Sequence, residues 1–258
     1  MLYPFFNITS TGPHRSKREM VLIDKTDIIL PEVGECDVLC SSNNLEQNTC
    51  DLNTNNCRES DCVPLVAVLG EVIRGNLNIE GSQRAFFCHP EYLQIGGHFG
   101  QCLNGKWTGL PICAKTWQST TSFDGFPDRA LDGNPSSMWM SQSCTHTEDE
   151  IQNFWAVELT RPVKIEGIRI QFRSDCCTDR NSGLTISVFD SRVALESWEG
   201  TDCGTFSGPP EDSSKPVTIT CEEPVTGRVV RVLQQNQEPS PMTLCEVTLI
   251  GPGLMQQI

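Results

Sequence analysis

In the C-terminal half of the chain, apolar residues recur at every second position in short stretches. Val163, Ile165, Ile168, Ile170 and Phe172 follow this period with one slip near Gly167, as a bulge would give. Leu184, Ile186 and Val188 repeat it, as do the pairs Val217/Ile219, Val230/Val232 and Val247/Leu249. A two-residue period puts such side chains on one face of a strand. Turn clusters, Ser207-Gly208-Pro209-Pro210 and Gly251-Pro252-Gly253, separate or end the stretches, and no helical period is sustained. From about Thr116 to Gly251 the pattern predicts an all-β fold, a β-sandwich or jelly roll.

The N-terminal half reads differently. Residues 1–35 contain no cysteine and little periodicity, which suits a tail or propeptide. Asn7-Ile8-Thr9 is a glycosylation sequon, so Asn7 is a candidate acceptor. Arg15-Ser16-Lys17-Arg18 is a basic quartet of the kind furin-like proteases cut, and equally a solvated charge run. Met1–Phe6 lacks the basic region and apolar length of a signal peptide, so a secreted chain implies a start further upstream or unusual export. Residues 36–61 crowd Cys36, Cys40, Cys50 and Cys57 among polar residues; only bridges can hold such a segment, in one of three connectivities. Residues 62–114 enclose strand-like stretches between Cys62, Cys88, Cys102 and Cys113, residues 115–251 form the β domain, and 252–258 a C-terminal tail.

Charge and cysteine content narrow the function classes. The 258 residues carry a net charge of −14, which repels a phosphate backbone and excludes nucleic acid as a partner. No apolar run reaches the length of a membrane helix. Fourteen cysteines point to an oxidising compartment, hence to a secreted or extracellular protein. There is no paired CxxC and no HExxH, and Cys88, His89, His98 and Cys102 read as two bridged cysteines beside two surface histidines. GxSxG and Gly-rich phosphate loops are also missing, and the four histidines form no convincing triad, so the chain is not read as an enzyme.

The run Cys102-Leu-Asn-Gly-Lys-Trp-Thr-Gly-Leu-Pro-Ile-Cys113 resembles the close of a sushi, or complement control protein, module. The resemblance implies the bridges Cys62–Cys102 and Cys88–Cys113, Trp107 in a minimal core, and protein partners for this module.

One constellation in the β domain carries chemistry: Cys144-Thr-His146, then Arg173-Ser-Asp175-Cys176-Cys177-Thr-Asp-Arg180. Arginine offers a planar fork of five donors, matched to sugar hydroxyls and ring oxygens as well as to carboxylates. Asp175 can hold an arginine in its rotamer, and His146 adds a donor or acceptor. Surface salt bridges would satisfy the same spacing. The six cysteines of this region allow fifteen connectivities. In one of them, the long-range pairs Cys144–Cys245 and Cys203–Cys221 leave Cys176 and Cys177 for each other.

Written as His, twenty-six residues, Arg-x-Asp, four residues, Arg, the segment matches the F-type lectin (fucolectin) signature at every fixed position. Ala130-Leu-Asp-Gly-Asn134, Ser143-Cys-Thr-His-Thr147 and Leu244-Cys-Glu246 extend the similarity over more than half the chain. The resemblance implies a discoidin-like jelly-roll lectin for terminal L-fucose, in which His146, Arg173 and Arg180 hydrogen-bond the sugar and Asp175 positions an arginine. Cys176–Cys177 would then be a vicinal disulfide offering a flat apolar face, with Trp139 and Trp117 enclosing the 6-methyl group. It also implies a structural Ca²⁺ held by Asp132, Asn134, Ser143, Glu246 and the carbonyls of Arg129 and Cys245. Fucosylated glycans or glycoproteins would be the partners, with oligomerisation as a route to avidity. The rival class is a discoidin-like adhesion module that works through protein contacts; an intact His146/Arg173/Arg180 set distinguishes the lectin.

Overall fold

The structure is a computed structural model that describes residues 61–254. Asn7, the Arg15–Arg18 quartet, Cys36, Cys40, Cys50 and Cys57, and the last residues of the C-terminal tail lie outside the described residues.

Eleven strands are described: β1 (Glu71–Arg74), β2 (Gln83–Cys88), β3 (Leu93–Ile95), β4 (Phe99–Leu103), β5 (Lys106–Thr108), β6 (Ile112–Gln118), β7 (Glu150–Phe172), β8 (Leu184–Phe189), β9 (Thr201–Phe206), β10 (Val217–Ser240) and β11 (Leu244–Ile250). Two of them organise the domain. β7 and β10 run antiparallel along most of their length, and β7 changes its outer partner midway. The first part of β7 pairs with β6 (Trp117 opposite Ala156), the last part with β11 (Val247 opposite Ile170). On the far side of β10 lie β8 and then β9. The register slips between Thr220 and Val225, opposite Gly167 and Ile165, where the alternation in the sequence also slips. Gly167 is required there, because a Cβ would stand 2.6 Å from the Ile219 carbonyl oxygen.

Both halves of the long strands face a single core. Trp155, Val157 and Leu159 from one half pack with Ile165, Ile168, Ile170 and Phe172 from the other, and with Ile186, Val230, Val232 and Leu249. These are the alternating apolar positions of the sequence, so the all-β sandwich follows from the two-residue period. The same core contains the bridge between Cys203 and Cys221, both buried. Cys203 lies on β9 and Cys221 on β10 where its ladder to β7 slips, so the bond fastens the outermost strand to the central one. The short helix α1 (Arg192–Glu196) starts at Ser191, whose hydroxyl accepts the Ala194 N–H, and buries Leu195.

Residues 62–114 have few apolar side chains to bury, and covalent links do much of the work. β1, β2, β4 and β5 form a four-stranded sheet in that order, crossed by Cys62–Cys102 and Cys88–Cys113. Asn104-Gly105, both at positive φ, make the tight hairpin between β4 and β5. Trp107 is half-buried, its indole N–H donating to the Val63 carbonyl at 2.8 Å. The division drawn at 114/115 runs through the middle of β6, and β3 pairs with β6 as an edge of the large sheet. A second tie is ionic: Arg161 donates to both carboxylate oxygens of Glu71 at 2.6 Å, and the Thr160 hydroxyl adds a bond at 2.9 Å. The Glu71 side chain is only 2% exposed.

Truncating the core at Ile168 tests this architecture. Ile168→Ala is expected to lower stability by about 2–5 kcal/mol in urea unfolding. Ile151→Ala, at an exposed position of the same strand, should stay within about 0.5 kcal/mol of the parent.

Candidate functional site

Three connections meet at one end of the sandwich. The first is the loop between a 3-10 turn (Trp139–Ser141) and β7, which contains His146. It lies against the start of β11: Thr145 N–H donates to the Leu244 carbonyl at 2.8 Å, and Thr147 N–H to that of Met242 at 3.2 Å. Their hydroxyls accept the Leu244 and Met242 N–H groups in return, and Cys144 is bonded to Cys245. On its other side, His146 N–H donates to Gly125 O at 2.9 Å. A Cβ on residue 125 would stand 2.3 Å from that nitrogen, so only glycine permits the approach.

The His146 ring is therefore fixed. Its Nδ1 lies 2.7 Å from the Thr147 carbonyl, which selects the Nδ1–H tautomer and leaves Nε2 as a free acceptor. Burial holds its pKa below the usual histidine value; the Thr147 hydrogen bond opposes this, while the charges of Arg180 and Arg173 reinforce it. Trp139 and Phe123 meet the ring edge-on, with centroids 5.5 and 5.2 Å away.

Arg173, at the end of β7, is preset by Asp175. Its Nε donates to Asp175 Oδ1 at 2.8 Å and its Nη2 to Oδ2 at 3.3 Å. The pairing with Arg173 pulls the Asp175 pKa down, keeping the carboxylate ionised. Asp175 also accepts the Trp139 N–H, and the Arg173 guanidinium lies 5.1 Å from the Trp139 ring centroid. Ser174 N–H and hydroxyl bond to Ser137, binding this loop to the one that carries Trp139. The vicinal bridge Cys176–Cys177 follows, with Cys177 in a left-handed conformation, and opens a 3-10 turn ending at Arg180. Gln234 Nε2 donates to the Arg180 carbonyl and fixes that turn to β10.

His146, Arg173, Asp175, Cys176, Cys177, Arg180 and Trp139 thus come together. Trp117 does not. It alternates with Gln118 on β6, and Gln118 is the neighbour facing the site, donating to the carbonyls of Gly125 and His146. Period two sends Trp117 to the opposite face, against the cluster of Phe189, Leu195 and Val229. Phe123 takes the place expected for a second aromatic. It is exposed and sits at φ 50° in the Ser122–Gly125 turn, and an isolated aromatic in a polar turn carries no periodic signal.

Next to this site, Asp132 and Glu246 border a cavity of about 190 Å³. Burial and the nearby Asp132 charge push the Glu246 pKa up to about 8, against a hydrogen bond from Gly133 N–H. Burial likewise raises Asp132. Glu246 Oε2 is buried without a hydrogen-bond partner. Two carboxylates forced together with an orphaned oxygen fit a hard cation. The remaining candidate ligands are arranged less directly. The Ser143 hydroxyl donates to the Ser136 carbonyl at 2.5 Å, and the Asn134 amide to that of Ser141 at 3.3 Å. Arg129 reaches the Cys144 carbonyl at 3.5 Å, and Cys245 is fully buried at the bridge. Among the described residues no cluster of three acidic, histidine or cysteine side chains occurs, so neutral oxygens would have to complete any shell. The opposite wall is Gln94, Ile95 and Gly96, from the N-terminal half of the chain, which no motif marks.

A family profile described as "NedA-like, galactose-binding domain" matches residues 129–232. Fucolectin-3 of Anguilla japonica is 32% identical over 133 residues, 51% of this chain and 72% of the eel protein. Fucolectin of Anguilla anguilla is 30% identical over 118 residues, 46% of this chain and 72% of its own. The crystal structure of an F-lectin (fucolectin) from striped bass (Morone saxatilis) serum is 33% identical with a TM-score of 0.49, covering 54% of this chain and 46% of the bass chain. The matched profile spans the stretch that carries His146, Arg173 and Arg180, and on its identity to the two Anguilla proteins the chain belongs to the fucolectin family.

Proposed function

We propose that the chain is an extracellular lectin that takes a terminal L-fucose residue between His146, Arg173 and Arg180. The observation that carries this reading is the preset geometry of Arg173, locked by Asp175 and laid against the same Trp139 that contacts His146. Fixed donors and acceptors set beside aromatic faces recognise a neutral, hydroxyl-rich ligand at little reorganisation cost. The two guanidinium groups donate to hydroxyl and ring oxygens, and His146 Nε2 accepts a hydroxyl proton. The Cys176–Cys177 bridge lies under ring carbons, while Trp139 and Phe123 enclose the 6-methyl group. The names of the relatives, fucolectins, support the same sugar. Residues 62–114 act as a sushi-like protein-contact module beside it. No helix among the described residues is long and apolar enough to cross a membrane.

The site calls for no nucleophile or acid–base pair, and the reading is of a binding protein, not an enzyme. A structural Ca²⁺ belongs to it, held by Asp132 and Glu246 with oxygens of Arg129, Asn134, Ser143 and Cys245. The cation would neutralise the two carboxylates and stiffen the loop that carries His146, without touching the sugar.

Competition on a fucosylated surface tests the sugar. Free L-fucose should inhibit with a single-site Kd of about 10⁻⁵–10⁻³ M, and galactose and mannose should not; equal inhibition by galactose sinks the assignment. Arg173→Lys should lose binding nearly as fully as Arg173→Ala, because an ammonium cannot reproduce the planar fork.

Acidity gives an independent check. The folded His146 pKa lies below its ordinary 6.5, so the ring stays neutral at neutral pH. Binding should be flat there and fall only as pH drops below the ordinary value, when Nε2 gains a proton and ceases to accept. The sign for stability is the same: the contribution is complete above the unfolded value and declines as pH falls toward the folded one. A His146→Gln variant should lose the acid limb of a binding-versus-pH curve.

Chelation should lower the melting temperature and weaken sugar binding together, and Asp132→Ala should reproduce both effects without chelator. Superimposable melting curves for calcium-loaded protein and protein verified to be metal-free would remove the cation from the scheme.

A further inference from the structure

We propose that the sandwich carries a second ligand site, on the sheet face turned away from its core, which takes a single carboxylate-bearing saccharide residue. The site is a cavity of about 460 Å³ between α1 and strands β6, β7 and β10. Trp117, Phe154, Leu195, Trp198 and Arg231 form its walls. Strand alternation separates it from the site at His146. Trp117, Ala156 and Arg231 are directly opposed across three strands and point outward. Their neighbours Gln118, Trp155 and Val232 point inward.

The side chain that calls for a ligand is Arg231. It is 6% exposed, and among the described residues no carboxylate lies within ion-pair distance of it. Its Nε has no acceptor, and its Nη2 reaches only the Ser187 hydroxyl at 3.4 Å, whose proton is given to Asp202 at 2.7 Å. Asp202, reached through that Ser187 hydroxyl, is the one carboxylate among the described residues whose charge acts on Arg231, and it makes no direct ion pair with it. A buried guanidinium without a paired counter-ion is costly, and an entering carboxylate offsets that cost. The charge lies 4.3 Å from the Trp198 ring centroid and 4.9 Å from that of Phe189.

The surrounding groups define the rest of the ligand. Trp198 is 57% exposed at φ 61°, a conformation that a bulky side chain adopts only where its surroundings impose it. Trp117 is half-buried beside it under the Arg192 guanidinium, 4.9 Å away. Indole faces suit the C–H face of a pyranose ring, and the volume accommodates a small saccharide. Glu150, Gln152 and Glu196 also line the cavity and offer acceptors for hydroxyl groups. Their two carboxylates, on a chain of net charge −14, turn away a polyanion and leave room for one negative charge, on the buried arginine. Uronic and sialic acids share this chemistry.

Titration of the full chain, followed by tryptophan fluorescence with saturating L-fucose present throughout, tests the proposal. Glucuronic acid and N-acetylneuraminic acid are the two probes and glucose the neutral control. Saturation by either acid with a Kd of about 10⁻⁴–10⁻² M is expected, the responding acid naming the source, with no response to glucose. Trp198→Ala and Arg192→Ala, each with an unchanged melting curve, should weaken that binding at least about tenfold, as read by ligand-observed NMR. Three results would overturn the proposal: no saturation by either acid up to about 50 mM, an equal response to glucose, or undiminished binding by a folded Trp198→Ala variant. A parallel titration without fucose adds a fourth: acid binding seen there but lost with fucose present would place the acid at His146 and overturn the proposal equally.

Discussion

Cys144 and Cys245 join a loop to the first residues of a core strand across 101 positions of sequence. In the chain-entropy picture, closing a loop of that size stabilises the fold by about 4–5 kcal/mol. Here the location matters more than the magnitude. The bridge brings Thr145 and Thr147 alongside Leu244 and Met242, where four reciprocal hydrogen bonds give an irregular loop the order of a strand edge. His146 sits between the two threonines, and Glu246 follows the bridged Cys245. The His146 ring and the Glu246 carboxylate are therefore positioned by one covalent constraint. Without it, His146 would depend on a loop that buries little apolar surface of its own. The Cys203–Cys221 bridge, by contrast, spans 18 positions inside the core and holds strands, not the site.

Electrostatics concentrates what the composition dilutes. The chain as a whole is strongly acidic, yet Arg173 and Arg180 both act on His146, and Arg129 and Arg173 both lie against Trp139. Among the described residues the one ion pair that these cations form is that of Arg173 with Asp175. The Arg180 guanidinium enters no ion pair among the described residues, while its backbone anchors the turn. On the neighbouring cavity the balance reverses, with burial and the Asp132 charge raising the proton affinity of Glu246. Opposite local fields thus lie side by side on one loop system.

The sequence was most informative where periodicity or spacing had a physical cause. Ile168, Ile170 and Phe172 could be read as core because strand alternation leaves no other face for them. His146, Arg173, Asp175 and Arg180 could be read as a set only through their resemblance to the F-type lectin signature, because surface salt bridges would satisfy the same spacing. The partners of Cys203 and Cys221 stayed open among fifteen connectivities until β9 and β10 were placed on one sheet. Trp117 could not be assigned: an aromatic next to Gln118 faces either side of a strand, and only the pairing of β6 with β7 decides which. Phe123 lies in a turn without a repeat, and its role comes from Gly125 admitting His146 at close range. The full lengths of β7 and β10 were hidden as well, because Glu222, Glu223 and Pro224 interrupt the alternation where the ladder bulges. Gln94 to Gly96 approach Glu246 through the tertiary fold, which no local pattern encodes.

β6 has a mechanical meaning for how such a protein reaches a surface. Its first residues pair with β3 next to the Cys88–Cys113 bridge, and its last residue, Gln118, holds the backbone of His146. No flexible tether separates the two halves, and the Glu71–Arg161 pair braces them a second time. A partner held by the N-terminal sheet would sit at a set distance and angle from a glycan held at His146. Two anchors on a stiff rod gain from each other only when the spacing of their targets matches the rod, whereas a slack tether tolerates any spacing and gains less from each. With both ends engaged, the strand would make the molecule a gauge of how far apart two features lie on a surface.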